Sequence, residues 1–525
     1  MSDDGLPANV SGLLSATAAR LPDKPALIFR DRPITYAELD RRANLTAAAL
    51  HDLGVRPGDR VALLLGNVPE FVYAFYGALR AGAIVAPLNP QLTPEEVGYI
   101  LADAGARVVV CEMGTLATVL AVRDRLGDLE HVLVVGGPPA PKGTQSLEVL
   151  LEHAGEPPVL ANAPGDVAVL AYTSGTTASP KGAMLSHRNL LANLEQMGGV
   201  PMLAEAENDV VLLVLPLFHI YAMNVILGLT MKVGATAALV ERFDPQETLD
   251  LVSRHGCTIV FGAPPMFYSW LSLPPASRPD LSSVRLAVSG AARLPGEVLE
   301  GFRERFGITI WEGYGLTETA PALTSNALGD AAKPNSIGLP LPGVELRLLD
   351  EHDEEVFEDD TGEIVVRGPN LFAGYWNRPE DTERVIRDGW FHTGDIAYRD
   401  EAGYLFIVDR KKDLIIVSGF NVFPKEVEDA IVGHPAVAEA AVYGIPDERT
   451  GEAVKASVVL EPGASLTSEA LLDHVGHTLA RFKQPKQIEF LDQLPKLPTG
   501  KVLRRALRGE ELLAGVDADV EADAP

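Results

Sequence analysis

The chain has 525 residues, 47% of them hydrophobic and 22% charged, so it is too long for one compact core and too apolar to be disordered. Its formal net charge of -28 argues against broad contact with nucleic acid or anionic lipid, because a phosphate-binding surface needs clustered Lys and Arg side chains. We therefore predict two or three globular units in which any phosphate chemistry is local.

Three features of the sequence predict a cytoplasmic protein. Cys111 and Cys257 form neither a CxxC motif nor a metal-type spacing, which suits a reducing compartment. The first ten residues carry acidic side chains where an export signal would be basic, and no apolar segment follows them. The most apolar stretches, residues 210–218 and 225–240, are shorter than a membrane span or are interrupted by Lys232.

Along the first part of the chain, strand-like and helix-like segments alternate. Apolar runs that start at Val61, Val108, His131 and Cys257 are typical of buried strands, whereas residues 35–54 have helical periodicity. This alternation predicts layered α/β structure with parallel sheets.

From about Gly338 the pattern changes to short strands that are separated by acidic loops, which predicts a β-rich subdomain over residues 338–409. A smaller pattern follows the charged cluster at 409–413, with helices near 424–432 and 468–480. The predicted organisation is an N-terminal domain (1–409), a hinge (410–413), a C-terminal domain (414–510) and an acidic tail (511–525).

The strongest functional signal is the string YTSGTTASPKG at residues 172–182, between an apolar run and a helix-like segment that starts at Ser186. Small Gly, Ser and Thr residues let backbone N–H groups and hydroxyls converge on an anion, and Lys181 adds a positive charge. The string is not a Walker A loop, because Pro180 and Gly182 replace the second glycine and the magnesium-binding Ser or Thr. We predict a phosphate cradle; the alternative is an ordinary loop rich in turn residues.

A second polar cluster, WEGYGLTETAP at residues 311–321, combines the aromatic ring of Tyr314 with Thr317 and Glu318. Its GYGLTE is a weak match to a Rossmann fingerprint, because Glu318 stands where the last glycine belongs. A carboxylate beside a hydroxyl and within reach of phosphate can hold a magnesium ion. The alternative for Glu318 is a solvated loop acid.

Two further segments carry candidate binding residues. Asp395, in WFHTGDIAYRD, and Arg410, in DRKKD, lie about a hairpin apart, and the carboxylate could accept both hydroxyls of a ribose. In LPKLPTGKVLRR a tight turn exposes Lys501. Surface salt bridges and a solvated lysine are the alternatives for these residues.

In order and spacing, these four segments resemble the acyl-activating superfamily of adenylate-forming enzymes, which includes acyl-CoA synthetases, firefly luciferase and nonribosomal peptide adenylation domains. The resemblance covers nearly the whole chain, and VSGFNVFPKEVE and LPLFHIYAMN look most like bacterial long-chain fatty acyl-CoA ligases. It implies a large N-terminal domain of layered α/β sheets plus a β-rich subdomain, with a small mobile C-terminal α+β domain.

The resemblance also implies a role for each matching residue. The phosphate cradle would comprise Thr173, Ser174, Gly175, Thr176, Thr177 and Lys181. The other residues that bind the nucleotide would be Gly290, Ala291, Ala292, Gly313, Tyr314, Gly315, Thr317, Asp395, Arg410 and Lys501. The residues acting in catalysis would be Lys501, Thr317, Glu318, His219 and Lys181, with Glu318 binding the metal. The CoA tunnel would involve Ser418, Gly419 and Phe420, and the hinge Lys412. His219 would gate the passage between the acyl and CoA sites; the alternative is a satisfied core histidine.

Two positions depart from the family pattern. Ala178 stands where the phosphate loop usually has glycine, which restricts the backbone there. Ile416 replaces a lysine that plant coumarate ligases and luciferase carry, which puts one phosphate or CoA contact in doubt.

The implied reaction uses ATP, Mg²⁺ and coenzyme A: a carboxylic acid becomes an acyl-adenylate with release of pyrophosphate, and CoA then displaces AMP. The expected partners are these small molecules, with no nucleic acid and no transmembrane segment, and a homodimer stays open. Apolar segments around 217–224 and 261–270 predict a medium- to long-chain aliphatic acid. The alternatives are a fatty acyl-AMP ligase that loads a carrier protein, an aryl or hydroxycinnamoyl-CoA ligase, a luciferase-like oxygenase and a non-catalytic nucleotide-binding scaffold.

Overall fold

The computed structural model describes residues 7, 9–137, 140–157, 162–173, 180–274, 279–350, 352–357, 360–410, 415–422, 424–495 and 507. The chain forms two compact units that divide between Lys412 and Asp413. Within the described ranges, no helix is both long enough and apolar enough to cross a membrane.

Several helices of the first unit begin at residues that favour helix starts. In α4 (Pro94–Ala104), for example, Thr93 and Glu96 form a capping box, Pro94 occupies the first turn, and Gly105 ends the helix in the left-handed conformation. The helices are α1 (Ser11–Arg20), α2 (Tyr36–Asp52), α3 (Pro69–Arg80), α4 (Pro94–Ala104), α5 (Met113–Arg123), α6 (Leu147–His153), α7 (His187–Gly198), α8 (Leu229–Val233), α9 (Pro245–His255), α10 (Pro264–Leu271), α11 (Gly296–Phe306) and α12 (Pro379–Val385). A π-helical segment, Tyr221–Gly228, leads into α8.

The described strands of the first unit form three sheets. They are β1 (Pro25–Phe29), β2 (Arg32–Thr35), β3 (Arg60–Leu64), β4 (Ile84–Pro87), β5 (Ala106–Glu112), β6 (His131–Val135), β7 (Gln145–Ser146), β8 (Val167–Thr173), β9 (Lys181–Ser186), β10 (Val210–Leu213), β11 (Thr236–Leu239), β12 (Ile259–Gly262), β13 (Leu286–Ser289), β14 (Ile310–Gly315), β15 (Ala322–Ser325), β16 (Leu339–Pro340), β17 (Glu345–Leu349), β18 (Gly362–Arg367), β19 (Ile386–Arg387), β20 (Trp390–Arg399) and β21 (Leu405–Arg410).

Two of these sheets are mainly parallel, as predicted. One has the order β16-β15-β14-β13-β12-β10-β11-β1-β2, and the other has the order β7-β6-β5-β3-β4-β8-β9. In β3, Val61 and Leu63 belong to one apolar cluster, whereas Ala62 and Leu64 belong to another, so both faces of this sheet are buried. The third sheet, β17-β18-β20-β19 with β21 beside β20, is antiparallel and forms the expected β-rich region.

The second unit is a separate α+β structure. Its elements are β22 (Ile415–Val417), β23 (Phe420–Val422), α13 (Pro424–Val432), β24 (Val437–Asp447), β25 (Gly451–Leu460), α14 (Ser468–Gly476) and β26 (Gln487–Phe490). Its sheet has the order β23-β22-β25-β24, with β26 beside β25. Apolar residues of both helices and of the sheet, including Val427, Val442 and Leu471, share one buried cluster.

Two local expectations differ from the structure. The segment after the phosphate loop is a strand, β9, before helix α7 begins at His187, whereas the sequence suggested that the loop leads towards a helix. Lys181 therefore opens a strand paired with β8. Helix α14 ends at Gly476, before the expected residue 480.

Candidate active site

The adenine-site residues predicted from the sequence lie where β13 and β14 end. These strands are parallel neighbours, with Ser289 paired with Glu312, so the segments that follow them emerge at the same edge of the sheet. At Gly290 an added Cβ would lie 2.9 Å from the Tyr221 ring, and at Gly315 it would lie 1.9 Å from the Pro321 carbonyl oxygen. The close backbone carbonyl therefore requires glycine at position 315, and the Tyr221 ring leaves little room for a side chain at position 290.

The first segment continues through Ala291 and Ala292, which together with Gly290 form the predicted adenine contact. Ala291 is exposed and has a φ of 68°, a left-handed conformation that is uncommon for a residue with a Cβ. Gly313, the first glycine of GYG, lies in β14 opposite Ser325. The residues Gly290, Ala291, Ala292, Gly313 and Gly315 thus place no large side chain over the backbone beside the ring of Tyr314.

Four buried amide side chains hold the turn Thr317–Thr319 and the residues after it. Asn193 donates to the carbonyl oxygen of Ala322 at 2.8 Å and accepts from its N–H at 3.1 Å. Asn224 donates to Ala320 O at 2.7 Å, Asn370 donates to Thr319 O at 2.8 Å, and Gln196 donates to Asn370 Oδ1 at 3.2 Å. We call Asn193, Gln196, Asn224 and Asn370 the amide network. It fixes the backbone of the turn that carries Thr317 and Glu318.

Glu318 is not a solvated loop acid, because it is only 8% exposed. The Tyr375 hydroxyl donates to its Oε1 at 2.8 Å, and its own carbonyl oxygen accepts from Phe372 N–H at 2.8 Å. The described residues contain no group of three or more His, Cys, Asp or Glu that could hold a metal. A single positioned carboxylate fits Mg²⁺ nevertheless, because this ion is usually held by one or two carboxylates together with substrate phosphates and water.

Lys181 lies at the start of β9 and pairs in register with Thr173, so the ends of the phosphate loop are neighbours. Its side chain is buried, and its Nζ lies 2.9 Å from Asp381 Oδ2 in α12. The same nitrogen lies 5.4 Å from the centroid of the Tyr375 ring. Lys181 and Glu318 therefore both contact Tyr375.

Tyr314 and Asp395 meet across two sheets of the first unit. The tyrosine hydroxyl donates to Asp395 Oδ2 at 2.7 Å, and Asp395 is buried. Asp395 and Arg410 are register partners on β20 and β21, which agrees with the expected hairpin spacing.

His219 precedes the π-helical segment, a rare element that is frequently found at functional sites. It is half-buried, and its Nδ1 accepts from Tyr221 N–H at 3.4 Å, so the neutral ring carries its proton on Nε2. Desolvation lowers the pKa of His219 to about 4. The imidazole is therefore neutral at physiological pH.

The sequence analysis did not identify three residues that lie near the site. Glu312 is buried and accepts from Leu294 N–H at 3.0 Å, and desolvation raises its pKa to about 8. An acid inside the apolar strand ITIWEG was the available signal. Tyr375 and Asp381, in GYWNRPED, had no comparable signal, because their partners are distant in sequence.

In the second unit, the predicted CoA-site residues form a tight turn between β22 and β23. Ser418 and Gly419 have φ values of 51° and 83°, as a type I′ hairpin turn requires at its two central residues. Ser418 N–H donates to Thr450 O at 2.7 Å, and the Phe420 ring centroid lies 4.7 Å from that of Phe482. The N–H of Ile416 donates to Glu452 at 2.6 Å.

Several expectations concern residues outside the described ranges: Ser174, Gly175, Thr176, Thr177, Ala178, Lys412 and Lys501. For Arg410 the strand register alone is described.

Two protein-family models match the chain. The one described as AMP-binding enzyme covers residues 14–376, and the one described as AMP-binding enzyme C-terminal domain covers residues 426–501. The chain belongs to the AMP-binding enzyme family. The predicted superfamily is therefore confirmed, and so is the predicted fold class of layered α/β sheets with a separate C-terminal unit.

Curated relatives of this AMP-binding enzyme carry two kinds of name. The long-chain-fatty-acid–CoA ligase of Bacillus subtilis (strain 168) is 38% identical over 529 residues, which is 96% of this chain and 94% of the relative. The feruloyl-CoA synthase of an Amycolatopsis species is 40% identical over 492 residues, which is 93% of this chain and 96% of the relative.

Solved structures of similar fold include enzymes with different names. The amide bond synthetase of Marinactinospora thermotolerans has a TM-score of 0.87 and 30% identity, covering 95% of this chain and 99% of that one. The fatty acyl CoA synthetase of Mycobacterium tuberculosis has a TM-score of 0.71 and 31% identity, covering 96% of this chain and 98% of that one.

Proposed function

We propose that this enzyme is a fatty acid–CoA ligase that activates a medium- to long-chain acid with ATP and transfers the acyl group to CoA. Its reaction class, AMP-forming acyl-CoA ligation, follows from its family and from relatives named CoA ligases over most of its length. The observation that carries the assignment is the convergence in the first unit of a buried ammonium, a buried carboxylate and a tyrosine–aspartate pair.

In the first half-reaction, the nucleotide would lie at the edge formed by β13 and β14. Tyr314 would stack on adenine beside the backbone of 290–292, and Asp395 would accept the ribose hydroxyls. Lys181 and Lys501 would stabilise the charge that develops on the phosphates while the acid carboxylate attacks the α-phosphorus, with Thr317 on the α-phosphate. When bound, Mg²⁺ supplies charge neutralisation at the phosphates, and Glu318 is the residue that would hold it.

In the second half-reaction, the CoA thiol would attack the acyl-adenylate and release AMP. The turn at Ser418, Gly419 and Phe420 would line the approach of the pantetheine arm. His219, which is neutral at physiological pH, would gate the passage without adding a charge. A C-terminal domain of residues 414–510 turning about Lys412 would serve both steps, a proposal supported by the division of the compact units at that residue.

The preference for an aliphatic acid rests on apolar residues near Gly290. The rings of Tyr221 and Phe261 make an edge contact with centroids 6.1 Å apart, and Met266 and Phe267 are buried beside Gly262. We propose that these residues border the acyl site, which would select acids by apolar burial, at about 0.8 kcal/mol per methylene. An aryl acid is the second candidate, because a feruloyl-CoA synthase is 40% identical to this chain.

A panel of acids tests this proposal. The enzyme is incubated with ATP, Mg²⁺, CoA and acetate, aliphatic acids of increasing length, benzoate or ferulate, and thioesters are read by mass spectrometry. We expect kcat/KM to rise with chain length until the pocket is filled. A strong preference for acetate or ferulate would contradict the aliphatic assignment, and acyl-AMP without thioester would favour another acceptor. We further propose a cytoplasmic location; a homodimer can be tested by sedimentation.

A further inference from the structure

Tyr375 is fixed to the strand that carries Lys181. Backbone hydrogen bonds join the segment around it to β9: Met184 N–H donates to Gly374 O at 2.9 Å, and Trp376 N–H donates to Gly182 O at 2.8 Å. The tyrosine cannot shift relative to the start of β9 without breaking these bonds.

The side chain of Tyr375 contacts two charged groups of the site by different parts. Its hydroxyl donates to Glu318 at 2.8 Å, and its ring lies 5.4 Å from the Lys181 ammonium. The hydroxyl is therefore the donor that fixes one oxygen of the Glu318 carboxylate.

Asp381 supplies the counter-charge for Lys181. The ammonium side chain is 8% exposed and the aspartate 17%, and their 2.9 Å contact balances a charge that would be costly to bury alone. Arg384 also reaches Asp381, at 3.3 Å, from a far more exposed position. The next residue, Thr382, accepts from Tyr375 N–H at 2.9 Å, so Asp381 and Tyr375 are held together.

We propose that Tyr375 and Asp381 are a pair of positioning residues for the adenylation step: Tyr375 orients the Glu318 carboxylate, and Asp381 orients the Lys181 ammonium. This inference rests on the proposed function. Because the two residues act on different groups, they have separable effects. Loss of the hydroxyl alters the response to Mg²⁺, and loss of the aspartate charge alters the handling of the ATP phosphates.

The first test is Tyr375→Phe, which removes the hydroxyl and keeps the ring over Lys181. We expect the Mg²⁺ concentration for half-maximal acid-dependent ATP–pyrophosphate exchange to rise about 10-fold or more, as for other residues that orient metal ligands. A second readout needs no turnover. The rise in melting temperature that ATP produces with Mg²⁺, compared with ATP plus EDTA, becomes smaller in the variant.

The second test is Asp381→Asn, which removes the counter-charge and keeps the shape. We expect kcat/KM for ATP in the exchange reaction to fall about 10-fold to 10²-fold, because Lys181 is no longer held in place. The Mg²⁺ concentration for half-maximal exchange, the Mg²⁺ midpoint, stays at the wild-type value. Asp381→Glu restores part of the activity. Both Tyr375→Phe and Asp381→Asn convert supplied acyl-adenylate and CoA to thioester at near wild-type rates.

Matched controls remove similar interactions elsewhere in the first unit. Tyr36→Phe removes a buried hydroxyl that donates to Ala235 O at 2.6 Å, and Asp400→Asn breaks another Lys–Asp pair, with Lys333. These variants lose stability without changing the Mg²⁺ midpoint or the ATP dependence. Equal effects of Tyr375→Phe and Asp381→Asn on both quantities, or no effect of either, would overturn the proposal. If the wild-type enzyme shows no ATP–pyrophosphate exchange with any acid, the proposed function is wrong. The inference about Tyr375 is then decided by the rise in melting temperature that ATP produces with Mg²⁺: an equal rise in wild type and Tyr375→Phe would contradict it.

Discussion

Tyr314 has two separable features, a ring and a hydroxyl that donates to a buried carboxylate. The 2.7 Å hydrogen bond to Asp395 orients the acceptor that we assign to the ribose. The ring takes no part in this hydrogen bond, and we assign it a different role, stacking on the base. Substitutions that remove the hydroxyl alone, or the hydroxyl together with the ring, can therefore test the two proposed roles separately.

For Tyr314→Phe we expect a rise of roughly 10-fold in the KM for ATP, because a hydrogen bond to a charged group contributes about 1.5–3 kcal/mol. Tyr314→Leu, which also loses the ring, should raise this KM further. Both values come from ATP–pyrophosphate exchange. Tyr398→Phe is the control, since Tyr398 lies on the same strand as Asp395 and stacks on Phe406. Equal KM values for the Phe and Leu variants would argue against adenine stacking.

Glu312 links stability to pH. Its pKa is raised from 4.5 to about 8 in the folded chain, so between these values unfolding releases a proton. The free energy of unfolding therefore falls as pH rises through this window, by up to about 1.4 kcal/mol per pH unit, and this contribution levels off above about pH 8.

Glu312→Gln removes this titration and keeps an acceptor for Leu294 N–H. We expect the melting temperature of the variant, relative to wild type, to increase from pH 5 to pH 8. Glu345→Gln is the control, because the exposed Glu345 pairs with Arg367, which lowers its pKa instead. A difference between Glu312→Gln and wild type that does not change with pH would contradict the assignment.

At the scale of elements, the conformation of the turn between β22 and β23 affects how a substitution of Gly419 must be interpreted. Any side chain at its φ of 83° is strained, so a loss of activity alone would be ambiguous. Gly463 has the same φ of 83°, and an added Cβ there would meet nothing within 4 Å. It therefore reproduces the backbone strain in the same unit.

We expect Gly419→Leu to retain ATP–pyrophosphate exchange and to lose thioester formation from supplied acyl-adenylate, because the side chain would obstruct the pantetheine arm. Gly463→Leu should be destabilised to a similar extent, read as melting temperature, and should keep both half-reactions. If the two variants lose thioester formation equally, strain rather than obstruction is the cause.

The sequence predicted a secondary-structure element correctly where its residue pattern and the flanking residues indicated the same structure. It failed where the two indicated different structures. The hairpin spacing of Asp395 and Arg410 was readable because β20 and β21 are consecutive strands. Strand β9 was missed because it follows a loop of turn residues and is followed at once by the capping box of α7. The contacts of the Tyr375 side chain with Glu318 and Lys181 join residues 57 positions apart or more, and such packing has no periodic signature in the sequence.

At the scale of the whole molecule, the family resemblance predicts that one C-terminal domain serves two half-reactions. We expect Lys501→Ala to slow adenylation by about 10² to 10³, as loss of a transition-state donor does, and to leave thioester formation from supplied acyl-adenylate intact. Lys486→Ala, which removes an exposed lysine paired with Asp447, is the control. An equal loss in both half-reactions would contradict the assignment of Lys501.

Lys412→Pro tests the hinge separately. Proline fixes φ and removes a backbone N–H, so it should restrict turning about this residue. We expect ATP–pyrophosphate exchange to be retained and thioester formation to fall, with both half-reactions measured on the same preparation. Unchanged thioester formation would place the hinge elsewhere.

The amide network has a consequence for how the enzyme responds to ionic strength. Its four side chains are uncharged, so dissolved ions that screen charge pairs leave these hydrogen bonds largely unaffected. Contacts of lysine side chains with phosphate are weakened by the same ions. Added salt should therefore raise the KM for ATP while the turn Thr317–Thr319 keeps its geometry, and the maximal rate at saturating nucleotide should change little.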